Sequence, residues 1–567
     1  RVRYDDGFVV YLNGAPAASR NAPTASAWNS AATAEHPKLE AIAYESVNLT
    51  SLIPLLRNGT NVLAVQGFNL AAEDDDFLFD AELVAGRVSA GAAGFLTQPT
   101  AGGMNGAETF GAVADTKFSV NRGYYEEPFE VAITTSTAGA TIYYTTDGST
   151  PSAGSGSVYT EPIPITKTTC LRAVAVKPGC LSTNVDTQTY IFLDDIIHQS
   201  ASPPGYPTTW TTYTGAAYPA DYEMDPDIIN PILSTDPNLI KDALRSLPVM
   251  SLVTDKANLF DPAIGIYANS GEFAVDLPDG SKKWEVPVSM EYFDPVSGRQ
   301  TQEDCGLRIQ GAYFRKPGST PKHSFRLLFK RMYGRSKLYF NLFDYDDEAA
   351  DSFDTLVLRA QGNDGYSWAS MGGKSQYIRD EFSRRVYAAM GQAASHGTFV
   401  HLYINGLYWG LYNPVERPDS SFCASYYGGK KEDWDVFKHP WLDLNEGTRE
   451  AMTAMQTLFQ YDIPLGSAVI SDSDYWKLQG CNPDGTRNPD FPVLLDVDNF
   501  IDYMLVNFWT GNQDWCWNDN NYWLGRLRVG QSTGFKFFCW DTEDNLDSPR
   551  SPVTLDMIAK VYQYDVY

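Results

Sequence analysis

Hydrophobic periodicity changes character once along this chain, near Leu247, and that change limits the folds open to it. Before about residue 193, apolar and polar residues alternate over short runs broken by turn signals. Beyond Leu247, alternating runs are interleaved with stretches whose apolar residues recur every fourth position. A two-residue period marks half-buried strands and a near-four-residue period marks helices. The chain therefore reads as multidomain, with two all-β sandwich modules followed by an α+β domain. Its 567 residues agree, because a single core rarely serves more than about 250–300 residues.

Residues 1–87 form the first β module. Phe8 to Leu12 runs into an Asn13-Gly14 turn, Leu63 to Phe68 is a further strand, and Asp74 to Leu83 closes the unit. Arg1-Val2-Arg3-Tyr4 begins in mid-strand, and Val561 to Tyr567 has no stop signal, so a piece lacking both ends is expected. Asp5, Asp6 and Asp74 to Asp76 suit either a structural Ca²⁺ site or solvated loops. Residues 88–118, rich in Gly, Ala and Thr, are a linker. Residues 119–193 make the second module, with strands at Phe129 to Thr134, Thr141 to Thr146 and Thr169 to Val176. Residues 194–246, rich in Pro and Asp, form a connecting segment with one helix near Asn238 to Arg245.

The last domain spans residues 247–567. Strands are expected at Val249 to Val253, Val286 to Phe293, Gly306 to Gly311 and Ser324 to Phe329. A helix follows at about Gln376 to Met390, with positions 378, 382, 386 and 390 as its buried stripe. A hairpin over His401 to Tyr412 turns at Asn405-Gly406. A helix at Val497 to Phe508 leads to a loop, two short strands and Trp540-Asp541.

A formal charge of −27 repels nucleic acid and anionic membranes. No run of 18 apolar residues is present, which excludes a membrane-spanning helix of the usual kind. The seven cysteines include no CxxC pair, so a zinc knuckle is not expected. Cys170 and Cys180, bracketing what reads as a hairpin, are either a disulfide or two free thiols.

The order of elements in the last domain carries the chemistry: a strand with Lys, a helix, a hairpin, a long helix, an Asp/Asn loop, two short strands, and Trp-Asp. A protein kinase uses that order to hold a nucleotide and its metals. Phosphoryl transfer needs a cation on the phosphates, oxygens for a divalent metal, and a carboxylate aimed at the attacking hydroxyl. Asp514 fits the last role. Asn520 or Asn521, together with Asp541, fits the metal, and Glu543 is either a second metal ligand or a cap. Lys322 is the candidate phosphate-pairing lysine, with Asp380 or Glu381 as its partner. Arg315 and Lys316 sit in Gly311 to Gly318, where a phosphate cover would lie. Glu416 follows the hairpin, where a hinge would face adenine. Arg308 and Arg326 are candidate buried partners of these acids.

Residues 1–87 resemble a galactose-binding-like jelly roll, and 119–193 resemble the chitobiase/hexosaminidase C-terminal module. Pro321 to Phe329, Asn405 to Asp419, Asn512 to Trp515 with Asn520 to Tyr522, and Trp540-Asp541 together resemble the CotH (spore-coat protein H) kinase family. That resemblance covers about residues 247–567. It implies an atypical protein-kinase-like fold, ATP with Mg²⁺ or Mn²⁺, secretion, and a secreted or cell-surface protein acceptor. It matches Asp514 to the catalytic aspartate and Asn521 and Asp541 to metal ligands. One departure is the spacing: a kinase places its metal Asn five residues after the Asp, and here the candidates lie six and seven after. The alternatives are a pseudokinase serving adhesion or scaffolding, transfer of AMP instead of phosphate, and a carbohydrate-active enzyme. The β modules also suit glycan contacts.

Overall fold

The computed structural model describes residues 2–37, 41, 45, 47, 49–57, 59–71, 78–81, 95–96, 108–109, 111–271, 285–368, 373–438, 443–462, 467–515, 521–546 and 556–557. The chain divides into two compact units. One comprises residues 1–115, 136–140 and 175–183, and the other comprises the remainder.

In the first unit, Gly7–Leu12 is the centre of a three-stranded antiparallel sheet, flanked by Ala15–Arg20 and Leu63–Phe68. Val2–Tyr4 pairs with Phe79–Ala81. Alternate residues Phe8 and Val10 meet Val2 and Tyr4 in a small core. The Asp6 carboxylate accepts the backbone N–H of Leu70 at 2.6 Å and of His36 at 3.3 Å. Asp74 to Asp76 lie outside the described residues.

The second β module is built on a five-stranded sheet in the order Ser157–Val158, Thr141–Thr145, Thr169–Val176, Asp186–Phe192, Gly123–Tyr125. Thr169–Val176 is one unbroken strand paired with Asp186–Phe192, so the hairpin expected between Cys170 and Cys180 is absent, and both are free thiols. Past the short helix Leu193–Ile197, the connecting segment holds a pair of helices where one was expected, Pro226–Thr235 and Pro237–Arg245. Each begins with Asp-Pro. Asp225 and Asp236 cap their helices through side-chain hydrogen bonds, and the proline occupies the first turn, where its missing N–H costs nothing.

The last domain opens with a closed seven-stranded barrel. Its strands are β1 (Val249–Val253), β2 (Val286–Phe293), β3 (Gln300–Gln310), β4 (Ser324–Leu328), β5 (Thr355–Arg359), β6 (Val400–Ile404) and β7 (Leu407–Glu416). They run in the order β1-β2-β3-β4-β5-β7-β6, with β6 parallel to β1. The β6–β7 turn has Asn405 at φ 48° and Gly406 at φ 81°, two left-handed positions that Asn-Gly accepts. Inward residues such as Leu307, Phe325, Leu327, Leu356, Leu358 and Tyr412 fill the barrel. Their outward neighbours form a second buried wall. Val357 and Val415 pack on Trp523, Phe538 and Trp540. These come from a four-stranded sheet of β8 (Trp434–Lys438), β9 (Asp443–Glu446), β10 (Tyr522–Leu527) and β11 (Lys536–Cys539), ordered β9-β8-β10-β11.

Three helices matter for the site: α1 (Arg379–Ala389), α2 (Ser420–Tyr427) and α3 (Val497–Thr510). Only the second half of the expected apolar stripe of α1 meets the core, where Val386 and Met390 pack beside the buried Tyr387. Ile378 is 49% exposed and Phe382 38% exposed, while Arg379, Asp380, Glu381, Ser383 and Arg384 are buried. The helix turns its charged side inward because charged partners wait there.

The second sandwich is joined to the barrel by buried polar contacts. Arg122 Nε lies 3.2 Å from Glu291 on β2, and its Nη1 donates to the Thr301 carbonyl at 2.7 Å. Glu291 also accepts the Thr189 N–H at 3.0 Å. Glu291→Ala leaves Arg122 buried without a counter-charge, which costs about 3–5 kcal/mol. Urea denaturation is expected to show that loss, and a change below about 1 kcal/mol would refute a structural role for the pair.

Candidate active site

The site lies where the tip of β5, the start of α1, the loop after α3 and the turn after β11 converge. Arg359, last residue of β5, places its Nε 3.2 Å from Asp380 Oδ2 on α1. Its Nη2 bonds both Asp541 and Glu543. Asp380 also faces Arg384 Nε at 3.1 Å and accepts from Thr542 N at 2.9 Å and Thr542 Oγ1 at 3.0 Å. Glu543 Oε2 accepts the Asn363 N–H at 2.6 Å. The Asn363 amide donates to Asp514 Oδ2 at 3.4 Å. Asn521 Nδ2 donates to the Asp514 carbonyl at 3.0 Å and to Oδ2 at 3.1 Å. A continuous chain of contacts thus runs Asn521–Asp514–Asn363–Glu543–Arg359–Asp541 and Asp380.

Local sequence explains how these groups are held. Helix α3 ends at Gly511, φ 66°, which lets the chain reverse into Asn512 and Asp514. The Gln513 N–H donates to the Asp544 carbonyl at 2.9 Å, and the Leu546 N–H to the Thr510 carbonyl at 2.9 Å, locking the two loops together. Gln361, Asn521 and Asp541 all have positive φ, at 57°, 62° and 59°. Such backbone costs energy, and its concentration here is typical of functional centres.

Electrostatics follows from burial. At Asp380 burial pushes the carboxyl up, but Arg359 and Arg384 with the Thr542 bonds outweigh it and hold the group below the usual range. Glu543 goes the other way: burial raises it, Arg359 opposes, and the carboxylates of Asp541 and Asp380 reinforce the rise. Arg359 stays charged, raised well above its ordinary value because three carboxylates outweigh its own burial.

Divalent-metal fit rests on Asp541 and Asn521. The Asp541 side chain is 35% exposed, and Arg359 takes only its Oδ1. Asn521 spends its nitrogen on Asp514, which leaves a carbonyl oxygen. Two hard oxygens suit Mg²⁺ or Mn²⁺ that brings phosphate oxygens and water with it. Among the described residues no three His, Cys, Asp or Glu side chains converge on a metal position. Glu543 has one oxygen bonded to Arg359 and the other to Asn363, so it bridges the network. Asn520 lies outside the described residues.

Other candidates lie apart from this chain of contacts. Lys322 Nζ donates to the Leu411 carbonyl at 2.9 Å and stands 5.0 and 4.8 Å from the Tyr377 and Tyr412 rings. Burial pushes its pKa down to about 7. Among the described residues it pairs with no acid, and Arg359 takes the place expected for it beside Asp380. Arg315 donates to the carbonyls of Ser270 at 3.0 Å and Ile309 at 2.8 Å. Glu416 is bound by His396 Nδ1 at 2.8 Å and by the Tyr426 hydroxyl at 2.8 Å. Arg308 pairs with Glu285 at 2.8 Å rather than with the site acids, and Arg326 forms no ion pair among the described residues. Glu381 pairs with Arg384 and Arg385. Sequence reading missed Arg359 and Asn363. The signal for Arg359 was Thr355-Leu-Val-Leu-Arg359, a short apolar strand-like run with a cation at its tip, ahead of the helix that starts at Arg379.

Residues 307–560 match the family model described as CotH kinase protein. Residues 120–187 match that of the chitobiase/beta-hexosaminidase C-terminal domain. Residues 307–560 are thus similar to CotH kinase proteins, and residues 120–187 ahead of them are similar to the chitobiase C-terminal domain. No curated protein matches the chain.

Two outcomes are expected. Arg359→Met leaves Asp380, Asp541 and Glu543 without their shared cation and is expected to cost about 3–5 kcal/mol in urea denaturation, with Arg359→Lys recovering part. His396 is lowered by burial but raised more strongly by Glu416 and Asp346, for a net rise. Its stabilisation is then full below the ordinary histidine pKa and is lost as pH climbs through the raised value. The Tm gap between wild type and His396→Gln should accordingly narrow from pH 6 to pH 9, and a constant gap would contradict it.

Proposed function

We propose that this domain is a secreted atypical kinase that transfers the γ-phosphate of ATP, with Mg²⁺ or Mn²⁺, to serine or threonine hydroxyls of an extracellular protein. The observation that carries this reading is the unbroken contact chain from Asn521 and Asp514 through Asn363, Glu543 and Arg359 to Asp541 and Asp380. It has the parts phosphoryl transfer requires: a carboxylate for the hydroxyl proton, two oxygens for a cation, and a strand-borne cation paired with an acid on the following helix.

Asp514 accepts the acceptor hydroxyl's proton at its carboxylate. Asn521 and Asn363 each donate to Asp514 Oδ2 and so fix the direction in which that carboxylate points. Asp541 and Asn521 are the residues that would hold a divalent cation, which would neutralise charge on the phosphate oxygens. Arg359 keeps Asp541 aimed and prevents the buried carboxylates from repelling one another. The chitobiase-type module ahead of the domain fits a glycan-bearing surface as the setting of the acceptor.

The test is incubation of the full chain with Mg²⁺ or Mn²⁺ and ATP labelled at either the γ- or the α-phosphate. A γ-label on protein, dependent on metal and reduced at least about 100-fold in both Asp514→Asn and Asp541→Ala, is the expected result. An α-label would replace phosphate transfer by AMP transfer. Absence of both labels, together with no thermal shift by Mg-ATP, would overturn nucleotide chemistry altogether.

A further inference from the structure

Helix α3 is apolar on two sides, and among the described residues only one of them is covered. Tyr503 and Val506 are buried in a core shared with Tyr387 and Trp515. On the other side Ile501, Leu505 and Trp509 are exposed, Trp509 by 66%. Positions four apart share a helix face, so these three form one stripe about 12 Å long at 1.5 Å per residue. Phe382 on α1, also exposed, stacks on Trp509 with ring centroids 6.1 Å apart and carries the stripe onto the second helix. A helix that is apolar all round is ordinarily buried all round. A contiguous apolar patch left in water is the usual mark of a surface that meets another protein.

The same face carries carboxylates without counter-ions. Asp498 and Asp502 lie one turn apart on α3, and among the described residues neither forms an ion pair. Asp498 is exposed, and Asp502 accepts only an uncharged donor, Gln392 Nε2 at 2.8 Å. Asp496, at the N-cap of the same helix, is by contrast paired with Lys536. Like charges four residues apart weaken a helix, so the pair is held at a cost that an incoming cation would relieve. A second copy of a chain with net charge −27 would bring acids against acids, and an anionic lipid surface would be repelled in the same way. The chemistry that fits is a polypeptide segment combining basic and apolar side chains.

The stripe runs toward the active site. Trp509 precedes Asp514 by five residues, and Gly511 at φ 66° reverses the chain between them. Five residues span at most about 18 Å, which bounds the distance from the end of the stripe to the backbone that carries the Asp514 carboxylate.

We propose that Ile501, Leu505 and Trp509, with Asp498 and Asp502, form a docking surface for a basic, apolar segment of the acceptor protein. That the docked partner is the acceptor rests on the phosphoryl-transfer reading above. The apolar residues supply contact area, and the acids set direction. Basic residues of the segment lie over the start of α3 and apolar ones over its end, so the chain beyond them is led toward Asp514.

The test uses the full chain and a fluorescein-labelled peptide holding two arginines, two leucines, a glycine spacer and one serine, beside a twin with glutamates in place of the arginines. Fluorescence anisotropy is expected to show that the basic peptide binds, that salt weakens it, and that Leu505→Ser and Trp509→Ser each weaken it at least about tenfold. Asp498→Lys should narrow the preference for the basic peptide over its twin. In the transfer assay both stripe variants should raise the KM of the basic peptide with kcat unchanged, as loss of binding away from the reacting atoms does. Their Tm should stay within about 3 °C of the wild type, because the replaced side chains are exposed. Stripe-dependent binding without transfer keeps the docking surface and rejects the kinase reading. Transfer with an unchanged KM in both variants keeps the reaction and rejects the docking surface. No peptide binding, or equal affinity for the two peptides, overturns the proposal. A larger fall in Tm also overturns it, since the chain's own residues would then cover the stripe. So does a wild-type dimer in sedimentation that Trp509→Ser abolishes, because a second copy would then occupy the face.

Discussion

One guanidinium holds the active region together. Arg359 is the shared counter-ion of Asp380, Asp541 and Glu543, which belong to α1 and to the turn after β11. Two unit charges 4 Å apart interact by about 4 kcal/mol at an effective dielectric near 20. Three carboxylates gathered without a cation would push α1, the barrel and the last turn apart. With Arg359 present, the same charges fasten those elements to one another, and Asp541 is aimed as a consequence. The positive φ of Asp541 and Asn521 persists because surrounding bonds over-determine it.

The barrel makes this possible by having two buried faces. Strand alternation sends Leu356 and Leu358 inward and Val357 and Arg359 outward. In a barrel alone, the outward set would be wet. Here β8 to β11 cover it, so outward positions must be either apolar, like Val357 and Val415, or charged with a purpose. That constraint explains why the first turn of α1 inverts its expected orientation. Its apolar residues Ile378 and Phe382 face out, and its acids and arginines meet the charged end of the wall.

Much of the scaffold was legible in the sequence. The β6–β7 hairpin follows from Asn405-Gly406, α3 and its neighbours follow from periodicity, and element order brings the loop after α3 beside the turn after β11. What escaped was information that no single segment holds. Whether Lys322 or Arg359 faces Asp380 depends on which side of a closed barrel each occupies, and local alternation does not say which face a sheet will cover twice. The first half of the α1 stripe misled for the same reason, since periodicity identifies a helix but assigns its buried side only where the partner is apolar, as it is at Val386 and Met390. The first helix of the connecting segment was announced by Asp225-Pro226, the same signal as Asp236-Pro237, and was passed over among the other prolines.

The choice of arginine at 359 is itself a physical consequence. Burial without an acid beside it brings Lys322 down to about 7, whereas the carboxylates around position 359 hold the cation there charged. A guanidinium stays charged when buried and presents several N–H groups at once, so one side chain can serve Asp380 through Nε and both Asp541 and Glu543 through Nη2. The acids at this end of the wall therefore favour a guanidinium, and that cation in turn fixes where Asp541 can point.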